Sequence, residues 1–166
     1  AVSSWALKHG IDLYCPNKAV DFDERLKAFD LVITIGYGLL LPEFILAQPK
    51  YGFINLHFSL LPKLRGAAPA QRAIIDGLTQ TGVTVFKLDA GMDTGPIYVS
   101  KEVNISDEDT TPILLERLTR LAIPDLLDLI SKIGKTRATP QPLSGATLAP
   151  KISKDMARII WKSSIE

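Results

Sequence analysis

The 166-residue sequence predicts an α/β domain built on a doubly wound, mostly parallel sheet. Three observations lead there. The run Leu31-Val32-Ile33-Thr34-Ile35-Gly36 is short, β-branched, free of polar alternation and closed by glycine, as expected of a buried parallel strand. A second such run, Gly52-Phe53-Ile54-Asn55-Leu56-His57, follows about twenty residues downstream. Helical spacing precedes and separates them. Phe22, Leu26 and Phe29 lie before the first run, while Phe44, Ile45 and Leu46 follow Pro42, a residue suited to a first helical turn. Helix, strand, helix, strand is the order of βαβ units.

Downstream, a loop punctuated by Pro62 and Pro69 leads to a predicted helix, Ala70 to Asp76, stopped by Gly77. Gly82 to Leu88 reads as a third strand, and Ile97 to Ile105 as a fourth, expected antiparallel to a neighbour. Thr111-Pro112 opens a long helix with Leu114, Leu115, Leu118, Leu121, Leu126, Leu129 and Ile130 on one face. Pro124 is expected to kink or restart it. From Gly134 to Pro150 the chain is rich in Pro, Thr and Gly and reads as loop. Residues 1–17 hold no clear opening strand, so the chain reads as part of a longer one.

Composition narrows the function classes. Hydrophobic residues at 46% and charged residues at 22% suit a soluble fold and argue against disorder. A net charge of +1 excludes a strongly basic nucleic-acid-binding domain, though not a local basic patch. Such a patch exists: residues 1–131 carry a net −4, whereas residues 132–166 carry +5, from Lys132, Lys135, Arg137, Lys151, Lys154, Arg158 and Lys162. This stretch reads as a solvated tail, or as a linker that leans on a polyanion. The single cysteine, Cys15, excludes an internal disulfide and any multi-cysteine zinc site. It reads as a loop or core residue. No apolar run reaches the ~20 residues of a membrane span, and no basic-then-apolar leader opens the chain, so a cytoplasmic setting is expected.

In open α/β sheets, ligands bind beyond the carboxyl ends of strands. The second strand ends in Asn55-Leu56-His57, and residues i and i+2 share a face, so Asn55 and His57 should meet one cleft. The loop Asp89-Ala90-Gly91-Met92-Asp93-Thr94-Gly95-Pro96 adds two carboxylates and glycines that admit a ligand closely. Asn55 and a protonated His57 could stabilise an oxyanion while an Asp positions the imidazole and manages a proton. That is acyl-transfer chemistry without a covalent intermediate. Each residue alone also has an ordinary structural reading: a satisfied strand-end histidine, a turn aspartate, a capping asparagine. His9 has only the structural one. Two histidines so far apart suggest no metal site, and no G-x-G-x-x-G or Walker-type loop follows a strand.

Asn55-Leu56-His57-Phe58-Ser59-Leu60-Leu61-Pro62 with Arg65-Gly66, then Gly82-Val83-Thr84-Val85, then Asp89 to Gly95, resemble in order the blocks of the folate-dependent formyltransferases. The resemblance implies a Rossmann-like formyltransferase fold and 10-formyltetrahydrofolate as the formyl-donating cosubstrate, with no metal. It implies that Asn55 holds the transferring carbonyl, His57 stabilises the tetrahedral oxyanion and Asp93 shuttles protons from the attacking amine. Ser59, Leu60, Leu61 and Pro62 would line the folate pocket. Leu39 and Leu41, in Tyr37-Gly38-Leu39-Leu40-Leu41, would pack on the pterin or belong to the core, and Asp89 would join the cofactor-binding residues. Phe58 would narrow the pocket edge.

Arg65 to Ile74, and Leu148 to Asp155 running on towards Trp161, are most similar to the branch that formylates initiator methionyl-tRNA. That branch implies residues 1–133 as a catalytic domain, partial at its N-terminus, and 134–166 as a basic linker towards a missing C-terminal domain. The family's first strand, its basic tRNA-holding loop and its C-terminal β-barrel have no counterpart here, so the chain alone is expected to transfer formyl poorly. A monomer is expected. Alternatives are an amino sugar on a nucleotide as acceptor, water as in a formyl-folate hydrolase, or a non-catalytic folate-binding α/β module.

Overall fold

The computed structural model describes residues 2–14 and 24–157. Cys15, the start of the helical spacing at Phe22, and the tail residues Arg158, Trp161 and Lys162 lie outside them. The elements in chain order are α1 (Val2–Lys8), a 3₁₀ turn (Glu24–Ala28), β1 (Val32–Ile35), α2 (Glu43–Leu46), β2 (Phe53–His57), α3 (Pro69–Ile75), β3 (Gln80–Lys87), β4 (Ile97–Asn104), α4 (Thr111–Lys132) and a closing 3₁₀ turn (Lys154–Ala157).

β2 is the centre of this arrangement and is buried at every position. Its alternation splits the core in two. Ile54 and Leu56 point to one face, where they pack with Val83 and Val85 against Leu114, Leu118, Ala122 and Leu129 of α4. Phe53 points to the other, against Leu26, Leu41 and Ile45. Helical layers on both faces make the α/β class. Asn55 and His57 share the second face with Phe53.

The sheet is open and mixed, in the order β1-β2-β3-β4. β1 pairs parallel with β2, but β2–β3 and β3–β4 are antiparallel. The expectation of a mostly parallel sheet is therefore corrected for the described residues. The reason lies in α3. A seven-residue helix rises only about 10 Å, and after Gly77 the chain re-enters the sheet beside the carboxyl end of β2, so β3 must run down. β4 is antiparallel as expected. β1, expected to be buried, lies at the edge of the sheet among the described residues, with Ile35 57% exposed, because of those residues only β2 flanks it.

α4 continues through Pro124 without restarting. Pro124 lies on the exposed side, so the carbonyl it leaves without an N–H partner can meet water while Leu118, Ala122 and Leu129 stay packed. The segment after Ile133 has no helix or strand up to Ser153, yet it folds back onto the body. Thr139 pairs with Ile97 and Leu148 bridges to Arg65, while Ala149 is fully buried. Among the described residues no helix is long and apolar enough to cross a membrane.

Candidate active site

A cavity of about 430 Å³ opens on the Phe53 face. Its wall comes from three stretches: Gly36 to Leu41 after β1, Asn55 to Phe58 ending β2, and Leu88 to Asp93 after β3, with Gly66, Ala67, Pro69 and Lys151 at the rim. Asn55, His57, Asp93, Asp89, Leu39 and Leu41 are thus brought together as the sequence suggests. Leu41 is both wall and core, at 5% exposure.

Ser59, Leu60, Leu61 and Pro62 are not on the cavity wall. Ser59 is fully buried and its hydroxyl donates to the carbonyl of Lys63 at 2.6 Å. The Thr84 hydroxyl donates to the Ser59 carbonyl and accepts from Leu61 N–H. Leu60 occupies the space beside Gly82, where an added Cβ would come within 2.4 Å of its side chain. This turn buttresses the strand ends from behind. Its apolar Leu-Leu-Pro text does not distinguish a ligand wall from a packed turn.

Asn55 is 8% exposed. Its Nδ2 donates to Thr34 Oγ1 at 2.8 Å, and that hydroxyl in turn donates to the Ile54 carbonyl. Thr34 therefore fixes the amide and leaves one N–H of Asn55 unspent. His57 Nε2 donates to the Leu64 carbonyl at 2.9 Å, which sets the tautomer and turns Nδ1 towards Asp93 Oδ2, 3.8 Å away. Leu64 holds this carbonyl with a left-handed backbone, φ 57°. Burial pushes the His57 pKa below its ordinary 6.5, opposed in part by the Asp93 charge and the Leu64 carbonyl. The shift favours the neutral imidazole over the protonated donor expected from sequence.

Asp93 arrives by an indirect route. Because β3 is antiparallel, its last residue, Lys87, lies opposite Ile54, near the amino end of β2. The following loop folds back along the sheet face to reach His57. Two glycines permit this: a Cβ at Gly95 would meet the Lys87 carbonyl at 1.8 Å, and one at Gly91 would meet Thr94 Oγ1 at 2.1 Å. Asp89 shapes the loop, its Oδ1 accepting from Gly91 N–H and the Thr94 hydroxyl. Asp93 itself has φ 54°, and its Oδ2 accepts from Gly66 N–H at 2.7 Å.

Sequence reasoning missed Thr34, Leu64 and Gln141, which touch the site residues through single hydrogen bonds that no local pattern announces. Pro140 and Pro142 around Gln141 are the one available signal, since they stiffen an otherwise loose segment. Among the described residues no group of three or more His, Cys, Asp or Glu is placed to hold a metal ion.

An open α/β sheet with a cavity where an amide, an imidazole and a carboxylate converge defines a ligand-binding fold equipped for acid–base chemistry. Residues 16–127 match the family described as Formyl transferase. The chain belongs to this formyl transferase family. It is 44% identical to the methionyl-tRNA formyltransferase of Thermodesulfovibrio yellowstonii over 164 residues, covering 96% of this chain and 53% of the relative. Among solved structures it is similar to the formyltransferase PseJ from Anoxybacillus kamchatkensis, in complex with UDP-4,6-dideoxy-4-formamido-L-AltNAc and tetrahydrofolate. There the TM-score is 0.67 at 31% identity, over 84% of this chain and 71% of that one. A sugar N-formyltransferase from Shewanella shares the fold, with TM-score 0.81 at 20% identity over 98% of this chain and 66% of that one. The chain spans about half the length of the curated relatives it matches.

Proposed function

We propose that the chain carries the formyl-transfer site of an enzyme that moves a formyl group from 10-formyltetrahydrofolate to the amino group of methionine on initiator methionyl-tRNA. The observation that carries this reading is the convergence of Asn55, His57 and Asp93 on one cavity wall. Relatives at 39–44% identity named methionyl-tRNA formyltransferase support the acceptor, and the tetrahydrofolate bound by PseJ supports the donor. An RNA acceptor of this kind sets the reaction in the cytoplasm.

In this reading the free amine attacks the formyl carbon. Negative charge gathers on the formyl oxygen, where the unspent N–H of Asn55 donates to it. The Asp93 carboxylate takes the proton released by the attacking nitrogen and passes it to His57 Nδ1 beside it, so that the imidazolium becomes the second donor to the oxygen. Its Nε2 stays on Leu64 throughout, so the ring does not rotate. When the intermediate collapses, the bond from the formyl carbon to folate N10 breaks and N10 takes up that same proton, returned from His57 through Asp93, which leaves both groups as they began. Leu39, Leu40 and Leu41 offer the apolar wall against which a flat ring can rest.

The experiment uses the chain extended at both ends to the length of its relatives. Formyl transfer from 10-formyltetrahydrofolate to methionyl initiator tRNA is measured, with Asp93→Asn as control. Transfer that collapses in the control upholds the reading. Turnover with an amino sugar or water instead would move the acceptor, and no turnover with any acceptor would leave a folate-binding module.

A further inference from the structure

We propose that Gln141 is a positioning residue for Asp93: its side-chain amide clamps the loop that presents the carboxylate to His57. This inference rests on the proposed proton-handling role of Asp93.

Gln141 Nε2 donates to the carbonyl of Asp93 at 2.9 Å and to that of Gly95 at 2.8 Å. Its Oε1 accepts from Arg65 Nη2 at 2.6 Å. Two carbonyls on one end and a guanidinium on the other settle which end of the amide is nitrogen. Both N–H groups are thus spent on the carbonyls of the two residues on either side of Thr94, and the amide's other end is tied to the Leu64–Gly66 loop.

The clamp answers a specific need. The loop after β3 runs back along the sheet face, and Asp93 holds a left-handed backbone, φ 54°, which Asp adopts more readily than most side-chain-bearing residues but still at some cost. Gly66 N–H fixes the carboxylate, but that bond alone leaves the backbone free to pivot. Gln141 fixes the backbone through the Asp93 and Gly95 carbonyls.

Gln141 is itself held at both flanks. Thr139 exchanges both backbone hydrogen bonds with Ile97. Beyond it, Thr147 accepts from Leu64 N–H through its hydroxyl, at 2.8 Å, and from Arg65 N–H through its carbonyl, also at 2.8 Å. Pro140 and Pro142 stiffen the span between. One strap of chain, 139–149, thus grips the Asp93 loop and the Leu64 loop that orients His57.

The test uses Gln141→Met, which keeps the shape and removes every hydrogen bond, and Gln141→Glu, which can still accept from Arg65 but cannot donate to the carbonyls. Both are made in the chain extended to the length of its relatives. Transfer kinetics are measured, and the His57 ring is titrated by NMR without substrate. We expect kcat to fall about 10- to 100-fold in both variants, the scale of a misplaced catalytic group, with KM for the acceptor little changed. In Gln141→Met the His57 titration moves down as it does in Asp93→Asn, and the double variant moves no further. Unchanged kcat together with an unchanged His57 titration would overturn the clamp, as would a lowered melting temperature with both readouts at the parent value. If Asp93→Asn leaves transfer intact, the role of Asp93 in transfer falls, while a displaced His57 titration in Gln141→Met still upholds the clamp.

Discussion

The backbone N–H of Gly66 donates to Oδ2 of Asp93 at 2.7 Å, and the same oxygen stands 3.8 Å from Nδ1 of His57. One carboxylate oxygen thus ties a loop from β2 to a loop from β3 beside the imidazole. Only glycine suits the donor position. Gly66 has φ 121°, and a Cβ there would lie 2.8 Å from the Ala149 carbonyl, which is backbone and does not swing aside. Gly66→Ala is expected to destabilise the fold by about 1–3 kcal/mol and to lower kcat along with it, because the N–H leaves Asp93. Denaturant melts and kinetics on the same preparation check this. Full stability with full activity would contradict it.

Asp93→Asn separates chemistry from folding. The left-handed backbone at this position is one that Asn tolerates as readily as Asp, and the Asn Oδ1 can still accept from Gly66. What disappears is the negative charge and the basic oxygen. kcat should fall by about 10²- to 10⁴-fold, the usual worth of a positioned general base, while the melting temperature moves little. Steady-state kinetics and a thermal melt measure the two.

Thr34→Val tests how Asn55 is oriented. Valine keeps the shape of threonine but offers Asn55 no acceptor, so Nδ2 loses its 2.8 Å partner in a site where Asn55 is 8% exposed. The unpaired amide should cost about 1–3 kcal/mol of stability. The freed amide can then rotate, and kcat should drop about 10-fold, in keeping with misaligned donors. A crystal structure of the variant would show Asn55 turned; an Asn55 that stays in place with unchanged kcat would show that Thr34 is not its anchor.

The strands and the long helix were legible because their signals are local. Val32 to Ile35 and Phe53 to His57 announce themselves by β-branching and by closing residues, and Thr111 to Lys132 by its period. The direction of β3 was not legible: nothing in Gly82 to Lys87 says which way it runs, and that is decided by where a two-turn helix returns the chain. Asn55 and His57 were found together because a strand's period of two fixes their shared face. Asp93 was placed by its resemblance to a family, through a route along the sheet face that the sequence does not spell out. Ser59 to Pro62 show the converse. Their residue types suit a ligand wall, yet the pull of Thr84, Lys63 and Gly82 turns them inward. Gln141 and Thr147 stayed hidden because a contact across 46 to 83 residues leaves no mark in either segment.

The buried imidazole also makes stability depend on pH in a stated direction. Burial lowers the pKa of His57 from its ordinary 6.5 in the folded chain, more than the Asp93 charge and the Leu64 carbonyl raise it. The unfolded ring takes a proton near 6.5, whereas the folded ring does so only at lower pH. Between those two values the unfolded state binds more protons, so stability falls as pH drops through this window and rises as pH increases. Above pH 6.5 the ring is neutral in both states and the effect vanishes. His57→Gln keeps a side-chain amide that can donate to the Leu64 carbonyl but does not titrate. Urea melts of parent and variant at pH 7.5 and pH 5.5 compare the two. The parent should lose more stability on acidification than His57→Gln does. An equal or smaller loss in the parent would mean that the Asp93 charge outweighs burial, and that His57 stands protonated before any substrate arrives.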